Sequence, residues 1–115
     1  MSDAIEKLVR TIKSRKGSDV KLSYTSLLLS KGSDYCLHKL KEEVFELEDA
    51  IKTKKNTVHE AADVIYHLLV TLESAGVNID DIIAELKKRE GISGFEEKKS
   101  RKIWFMIKII FLPKF

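Results

Sequence analysis

The fold is predicted by one stretch of the chain, Leu37-His-Lys-Leu-Lys-Glu-Glu-Val-Phe-Glu-Leu-Glu-Asp-Ala-Ile51. Its apolar side chains recur in steps of three and four residues, at Leu37, Leu40, Val44, Leu47 and Ile51. That period matches one face of an α-helix, so we expect a long amphipathic helix with this row in the core. A second row lies about 100° further round the axis, at the edge of the predicted buried face. It consists of Cys36, Lys39, Glu43, Glu46 and Ala50.

The same helical period recurs on both sides of this stretch. It predicts helices at residues 2–16, 24–31, 34–53, 57–75 and 79–90. Ser23, Ser33 and Thr57 are the predicted N-caps, because their hydroxyls can accept hydrogen bonds from free backbone N–H groups. The helix at 57–75 is expected to be the most buried, with Ala61, Ala62, Val64, Ile65, Leu68, Leu69 and Leu72 inside. Short connections then predict an all-α fold, an antiparallel bundle of four to five helices.

Composition excludes several classes of protein. A chain of 115 residues is long enough for one domain with a core but marginal for a deep cleft. The single cysteine, Cys36, excludes an internal disulfide and fits a reducing, cytoplasmic location. No signal peptide is predicted at the N-terminus, and no apolar run reaches the roughly 20 residues of a membrane span.

The net charge of +3 does not indicate nucleic-acid binding by the helical body. Residues 96–115 hold six Lys or Arg against Glu96 and Glu97, a balance of +4, which leaves about −1 on residues 1–95. A basic surface on the body is therefore not predicted, and we expect no nucleic-acid partner.

Two pairs of carboxylates are the strongest chemical signal in the chain. Glu43 and Glu46 are three residues apart, as are Glu60 and Asp63, so each pair projects from one face of its helix. Packed antiparallel, the two helices would bring the pairs together as oxygen ligands for Mg²⁺, with Glu42 as a further donor. The alternative is a solvated acidic face, which helices carry often, and spacing alone leaves both interpretations open.

Three other residues lie in the same rows as the acids. His67 is expected to form a hydrogen bond with a neighbouring acid or with the backbone, since a soft-metal site would need more His or Cys ligands. Lys39 is expected either to pair with Glu43 or to contact a phosphate. Cys36 has no predicted activating partner and is interpreted as a small buried residue.

Several motifs together resemble the phosphoribosyl-ATP pyrophosphohydrolase family, within the all-α MazG-like nucleotide pyrophosphohydrolase superfamily. The resemblance covers about residues 4–101 and is strongest over Glu60-Ala-Ala-Asp-Val-Ile-Tyr-His-Leu-Leu-Val70. Its other carriers are Thr11–Lys16, Ser23-Tyr24-Thr25, Lys31-Gly32, Lys39–Glu46 and Glu85–Arg89.

The resemblance implies Mg²⁺-dependent hydrolysis of phosphoribosyl-ATP to phosphoribosyl-AMP and pyrophosphate, the second step of histidine biosynthesis. Glu43, Glu46, Glu60 and Asp63 match the metal-ligand positions, and Glu42 matches a helper in ligation or water activation. The implied substrate contacts are Arg15, Lys16, Ser23, Tyr24, Thr25 and Lys39. The resemblance also implies a homodimer or larger homo-oligomer, with the site near the subunit interface.

Two other functions stay open at this stage. One is a MazG-like pyrophosphohydrolase of free nucleoside triphosphates, and the other is a non-catalytic helical interaction module. The implied domain covers residues 1–101. Residues 102–115 form an atypical apolar tail outside this domain, in which ten of the thirteen residues from Ile103 to Phe115 are apolar, and this tail departs from the family pattern. It is interpreted as a non-functional extension, with an interfacial anchor or an oligomer contact as the alternative.

Overall fold

The computed structural model describes residues 3–91, 94–96 and 98–101, which form helices and turns without a strand. Five helices follow one another within residues 3–91: α1 (Asp3–Arg15), α2 (Tyr24–Lys31), α3 (Ser33–Thr53), α4 (Thr57–Ser74) and α5 (Ile79–Arg89). The all-α prediction is confirmed. No helix in this part of the chain is both long enough and apolar enough to cross a membrane. The predictions for the tail at 102–115 concern residues outside the described ranges.

Backbone contacts divide the chain into two compact units. The first runs from Met1 to Asp81, and the second begins at Ile82. The first unit contains α1 to α4 and every residue predicted to belong to the site. The candidate site therefore lies within this unit.

Helices α3 and α4 form an antiparallel hairpin, the most extensive helix contact in the first unit. Near the turn, Thr57 Oγ1 donates a hydrogen bond to the carbonyl of Ala50 at 3.1 Å. At the far end, Thr71 Oγ1 donates a shared hydrogen bond to the carbonyl of Cys36 at 3.2 Å and to that of His67 in its own helix at 2.6 Å. Together the two contacts define one register, in which Glu46 lies level with Glu60 and Glu43 lies level with Asp63.

The buried core joins this hairpin to α1 and α2. It consists of Ile12, Leu28, Cys36, Leu69 and Val70. Cys36 is buried as predicted, and its Sγ donates a hydrogen bond to the carbonyl of Leu28 at 3.2 Å. Helix α4 contributes more fully buried residues than the other described helices, which confirms that prediction.

The predicted core face of α3 is wrong at three of its five positions. Leu37, Val44 and Ile51 are 43%, 47% and 58% exposed, and the buried residues of α3 are Cys36 and Ala50. Small side chains at these two positions let α3 approach its neighbours closely, so the row that contains Glu43 turns toward them, although Glu46 in that row stays exposed. Three residues of the bulkier apolar row are left on the surface of the chain, while Leu40 and Leu47 are half-buried.

Part of the predicted interior of α4 is wrong for the same reason. Ile65 and Leu68 are 44% and 42% exposed, and Ala62 is exposed as well. The face of α4 that the fold does bury carries His67, Leu69, Val70 and Thr71. Both helices of the hairpin therefore present apolar side chains that nothing within the described residues covers.

Of the three predicted N-caps, only Ser23 is confirmed. Its hydroxyl oxygen accepts a hydrogen bond from the backbone N–H of Ser26. Ser33 and Thr57 are instead the first helical residues of α3 and α4. The caps themselves are Gly32 and Asn56, and neither makes a side-chain cap hydrogen bond.

Gly32 both ends α2 and begins α3, with φ 91° and ψ 171°. This region of backbone space is open essentially to glycine alone. An added Cβ would meet no atom within 4 Å, so the restriction is conformational rather than steric crowding by neighbours.

We predict that Gly32→Ala lowers the free energy of unfolding by about 1–3 kcal/mol, the usual cost of such a backbone state. The measurement is urea unfolding at one fixed protein concentration, since association would shift the midpoint. Gly94→Ala is the control, because the φ of Gly94 lies outside the left-handed range. A change in the Gly32 variant no larger than in the control would contradict the prediction.

Candidate metal centre

The α3–α4 register brings all four predicted metal ligands together. Carboxylate oxygens of Glu43, Glu46 and Glu60 lie within 4.8 Å of one another. Glu60 and Asp63 form a second group of the same size with a ring nitrogen of His59. Glu60 belongs to both groups, so the four acids form one continuous cluster, hereafter the acid cluster (Glu43, Glu46, Glu60 and Asp63).

Two oxygens of the acid cluster are buried without a hydrogen-bond partner. They are Oε2 of Glu43 and Oε2 of Glu60. A buried carboxylate oxygen without a partner costs free energy, so such atoms are uncommon unless a ligand or ion satisfies them. They are the observation that separates this cluster from an ordinary solvated acidic face.

The pKa values of Glu43 and Glu60 respond to this crowding. Burial raises the pKa of Glu43, and the negative charges of Glu46 and Asp63 raise it further. Burial likewise raises the pKa of Glu60, again with contributions from Glu46 and Asp63. The site therefore favours a positive charge among its oxygens, whether that charge is a proton or a metal ion.

The residues of the cluster fit a divalent cation. Carboxylate oxygens are hard ligands of the kind that Mg²⁺ takes in proteins, usually completed by water and phosphate oxygens. The two unpartnered oxygens would gain a partner, and the repulsion between the four acids would be offset by the ion.

Glu42 is not brought into the acid cluster. Its carboxylate is nearly half exposed and lies 3.1 Å from His38 Nε2 and 3.2 Å from Lys39 Nζ. Lys39 therefore pairs with Glu42 three residues on, rather than with Glu43 as one of the two interpretations expected. The proposed role of Glu42 in ligation or water activation stays a prediction.

His67 lies behind the acid cluster, buried at 6% exposure. Its Nε2 is 3.6 Å from Glu43 Oε1, within ion-pair range but longer than a hydrogen bond. The rings of Tyr24 and Tyr66 meet it edge-on, with centroids 6.2 Å and 5.1 Å away. Burial lowers the pKa of His67, so the ring is neutral at pH 7 and does not neutralise Glu43. His67 thus lies beside an acid, as expected, but at a distance longer than the predicted hydrogen bond.

The predicted substrate contacts lie unequally near this site. Tyr24 is half exposed and meets His67 edge-on, and Lys39 occupies the same helix row as Glu43. The hydroxyl of Ser23 caps α2, and the hydroxyl of Thr25 shares a hydrogen bond with that of Tyr66. Their hydroxyls therefore have structural partners as well as a proposed role.

Arg15 and Lys16 lie at the end of α1 and are exposed. The carbonyl of Arg15 accepts a hydrogen bond from Ser26 Oγ at 2.9 Å, which joins this end of α1 to α2. Among the described residues, neither side chain forms an ion pair with the acid cluster. The structure therefore brings the acids together without bringing this cationic pair to them.

A pocket of about 450 Å³ adjoins the acid cluster at the turn between α3 and α4. Glu46 and Glu60 line one side of it. Its other polar residues were not predicted from the sequence, and they are Asp49, Thr53, Lys55 and Asn56. Spacing could have found Asp49, three residues after Glu46, but Lys55 and Asn56 depend on the left-handed backbone of Lys54 and Asn56, which leaves no helical pattern.

The fold and the acid cluster define a class of protein, all-α proteins with converging carboxylates of the kind that can hold a divalent cation. The family model described as phosphoribosyl-ATP pyrophosphohydrolase matches residues 5–90. The phosphoribosyl-ATP pyrophosphatase of Dechloromonas aromatica is 46% identical over 101 residues, which cover 86% of this chain and 94% of the relative. That of Rhodobacter capsulatus is 43% identical over 100 residues, 85% of this chain and 97% of the relative.

A further relative is the histidine biosynthesis bifunctional protein HisIE of Wolinella succinogenes. It is 43% identical over 100 residues, which cover 85% of this chain but 44% of that protein. The chain belongs to the phosphoribosyl-ATP pyrophosphohydrolase family. It is a hydrolase acting on a pyrophosphate bond, so the predicted family and enzyme class are both confirmed.

We predict that Glu60→Gln stabilises the metal-free protein at pH 7. The raised pKa means that the unfolded chain ionises Glu60 more easily than the folded chain does, so ionisation disfavours folding above the ordinary value of 4.5. The amide removes that penalty. The gain in unfolding midpoint should shrink as the pH falls and disappear below 4.5, where Glu60 is protonated in both states.

The measurement is urea unfolding in a chelating buffer between pH 4 and pH 7. Glu48→Gln is the matched control on α3, because pairing with Lys52 lowers the pKa of Glu48. The control should therefore lose a little stability at pH 7 rather than gain it. A Glu60 variant that is less stable than the parent at pH 7 would show that the cluster is not under strain.

Proposed function

We propose that the protein hydrolyses phosphoribosyl-ATP to phosphoribosyl-AMP and pyrophosphate, the second step of histidine biosynthesis. Its support is the family membership and the names of the relatives, together with one structural observation. That observation is the convergence of four carboxylates with two buried, unpartnered oxygens. A cytoplasmic location and a domain at residues 1–101 belong to the same proposal.

The proposed cofactor is Mg²⁺, held by Glu43, Glu46, Glu60 and Asp63. When bound, it would neutralise charge on the phosphate oxygens and on the pyrophosphate leaving group. The cluster itself prepares the position, because its carboxylates are already held within a few ångströms by the α3–α4 register. His67 packs against Glu43 and limits the movement of that side chain.

The reaction breaks one bond between phosphorus and oxygen in the α–β phosphoanhydride and forms one from a water oxygen to the α-phosphorus. The water loses a proton, and the two electrons of the broken bond leave with pyrophosphate. Glu42 is the proposed helper of the attacking water, since its carboxylate is accessible and is oriented by His38 and Lys39. The proposed substrate contacts are Arg15, Lys16, Ser23, Tyr24, Thr25 and Lys39, which offer cations and hydroxyls suited to phosphate.

We also propose that the protein is a homodimer formed through the exposed apolar face of the hairpin. That face carries Leu37, Val44, Ile51, Ile65 and Leu68, all at least 42% exposed. Large unpaired apolar faces mark interfaces. A second copy is the proposed occupant because two such hairpins, related by a twofold axis, would form a four-helix bundle. The acid cluster occupies the neighbouring row of α3, so it would lie beside the subunit interface.

We predict that Glu60→Gln and Asp63→Asn each lower Mg²⁺-dependent pyrophosphate release by at least about 100-fold. The reason is that each removes a charged oxygen ligand, and even changes behind the ligands cost about 10–100-fold. The assay follows pyrophosphate from phosphoribosyl-ATP with and without Mg²⁺, and Glu48→Gln is the control with intact activity. Full activity in both variants would refute the site, and a preference for ATP or dUTP as substrate would refute the proposed specificity.

We predict that Val44→Lys weakens self-association by at least about 100-fold, because an unpaired charge buried in an apolar interface costs several kcal/mol. Sedimentation velocity over a range of protein concentrations measures this. Leu22→Lys is the control, since Leu22 is 85% exposed in the loop before α2. If the parent chain sediments as a monomer, or if the Val44 variant still sediments as a dimer, the interface proposal fails.

A further inference from the structure

The ring of Tyr35 brings together two lysines from different helices. Tyr35 lies in the first turn of α3 and is 37% exposed. The Nζ atoms of Lys31 and Lys39 both lie over this ring, each 5.8 Å from its centroid. A cation within about 6 Å of an aromatic face is attracted to it, so one ring holds two ammonium groups.

The local fold explains why these three residues meet. Lys39 follows Tyr35 by four residues on α3, so both project from one face of the helix. Lys31 is the last residue of α2, and the backbone turn at Gly32 brings it back toward the start of α3. The contact of Lys31 with Tyr35 therefore depends on Gly32, whose backbone conformation is strained for any other residue.

The charges around the ring are not balanced. Lys39 Nζ is paired with Glu42 at 3.2 Å. In the described part of the chain, no carboxylate oxygen lies within ion-pair distance of Lys31 Nζ. Two ammonium groups beside one ring make this surface positive, and an anion bound near them would be attracted by both charges.

This group of residues is close to the acid cluster. Lys39 precedes Glu43 by four residues in the same row of α3, about 6 Å along the helix axis. The positive charge of Lys39 also acts on two residues near Glu43, Tyr24 and His67. Burial raises the pKa of Tyr24 and lowers that of His67, and the charge of Lys39 contributes a lowering to each of the two pKa values. Positive charge thus lies next to the place where a metal-bound phosphate would be held.

We propose that Lys31 and Lys39 bind a substrate phosphate group outside the acid cluster, and that Tyr35 is the positioning residue that holds the two ammonium groups together. This inference rests on the proposed function, because it assumes a substrate with several phosphate groups near the acids. A pair of ammonium groups suits such a group, since each donates up to three hydrogen bonds and carries a full charge. Tyr35 acts through the lysines and needs no contact with the substrate.

The test is a steady-state comparison of Tyr35→Leu, Tyr35→Phe and Lys31→Met with the full-length parent, using phosphoribosyl-ATP and Mg²⁺. Tyr35→Leu should raise KM about two- to fivefold with kcat nearly unchanged, the range of an exposed cation–π contact. Tyr35→Phe keeps the aromatic face and should restore the parental KM. Lys31→Met should also raise KM, whereas Lys41→Met, a control at another exposed lysine of α3, should not.

The double variant Lys31→Met with Tyr35→Leu separates positioning from general damage. Its KM should rise by less than the product of the two single effects, because both changes remove the same contact. Mg²⁺ binding, measured by titration calorimetry, should be unchanged in Tyr35→Leu. Three results would each overturn the inference. They are an unchanged KM in Tyr35→Leu, an increase in KM in Tyr35→Phe as large as in Tyr35→Leu, and effects on KM that multiply in the double variant.

A failure of the inference can be distinguished from a failure of the proposed function. If the parent releases no pyrophosphate from phosphoribosyl-ATP, the function is wrong, and titration with inorganic pyrophosphate and Mg²⁺ becomes the test of the lysines. Weaker pyrophosphate binding in Lys31→Met and Tyr35→Leu, but not in Lys41→Met, would support them. If the parent is active and Glu60→Gln is inactive while the Tyr35 and Lys31 variants match the parent, only the inference fails.

Discussion

Close packing of α3 on α4 is the contact on which the rest of the structure depends. Cys36 and Ala50 are the fully buried residues of α3, and their small side chains allow the two helices to approach. Thr71 and Thr57 then join the two ends of the hairpin through hydrogen bonds to the carbonyls of these same two residues. One register follows from these contacts, and that register is what makes the acids of the two helices converge.

The convergence has an electrostatic cost that the fold does not relieve from within. Glu43 and Glu60 each keep a buried oxygen without a partner, and His67, the base nearest to Glu43, is kept neutral by burial. Ion pairs are present, of Glu42 with His38 and Lys39 and of Asp63 with His59 at 3.3 Å, but they leave the two buried oxygens without a partner. The chain thus tolerates repulsion in one place, as is typical of a site whose balancing positive charge comes from a bound ion.

The orientation of α3 about its own axis affects both the acid cluster and the proposed dimer interface. Turning the Glu43 row toward the other helices leaves Val44 and Ile51 on the surface of the chain. A second hairpin would cover them. The proposed metal site and the proposed dimer interface would then both follow from the orientation of α3 about its axis. Gly32 acts separately, because its backbone conformation directs Lys31 toward the start of α3.

The sequence by itself determined the helices, because apolar period, caps and glycines are local signals, and the described helix ends differ from the predicted ones by at most one residue. It also determined which acids belong together, since a spacing of three places Glu43 with Glu46 and Glu60 with Asp63 on single helix faces. Family motifs then supplied the enzyme class. These features need no knowledge of what packs against what.

The tertiary structure alone decided which face of α3 lies inside. Periodicity shows that an apolar row exists but not whether it is covered by the same chain or by another, so the row of Val44 was predicted as core and is exposed. The exclusion of Glu42 from the acid cluster, the pocket beside Lys55 and the meeting of Lys31 with Tyr35 were equally beyond the sequence. Each depends on the rotation of a helix or on a loop with left-handed backbone, and those are settled by contacts between residues far apart in the chain.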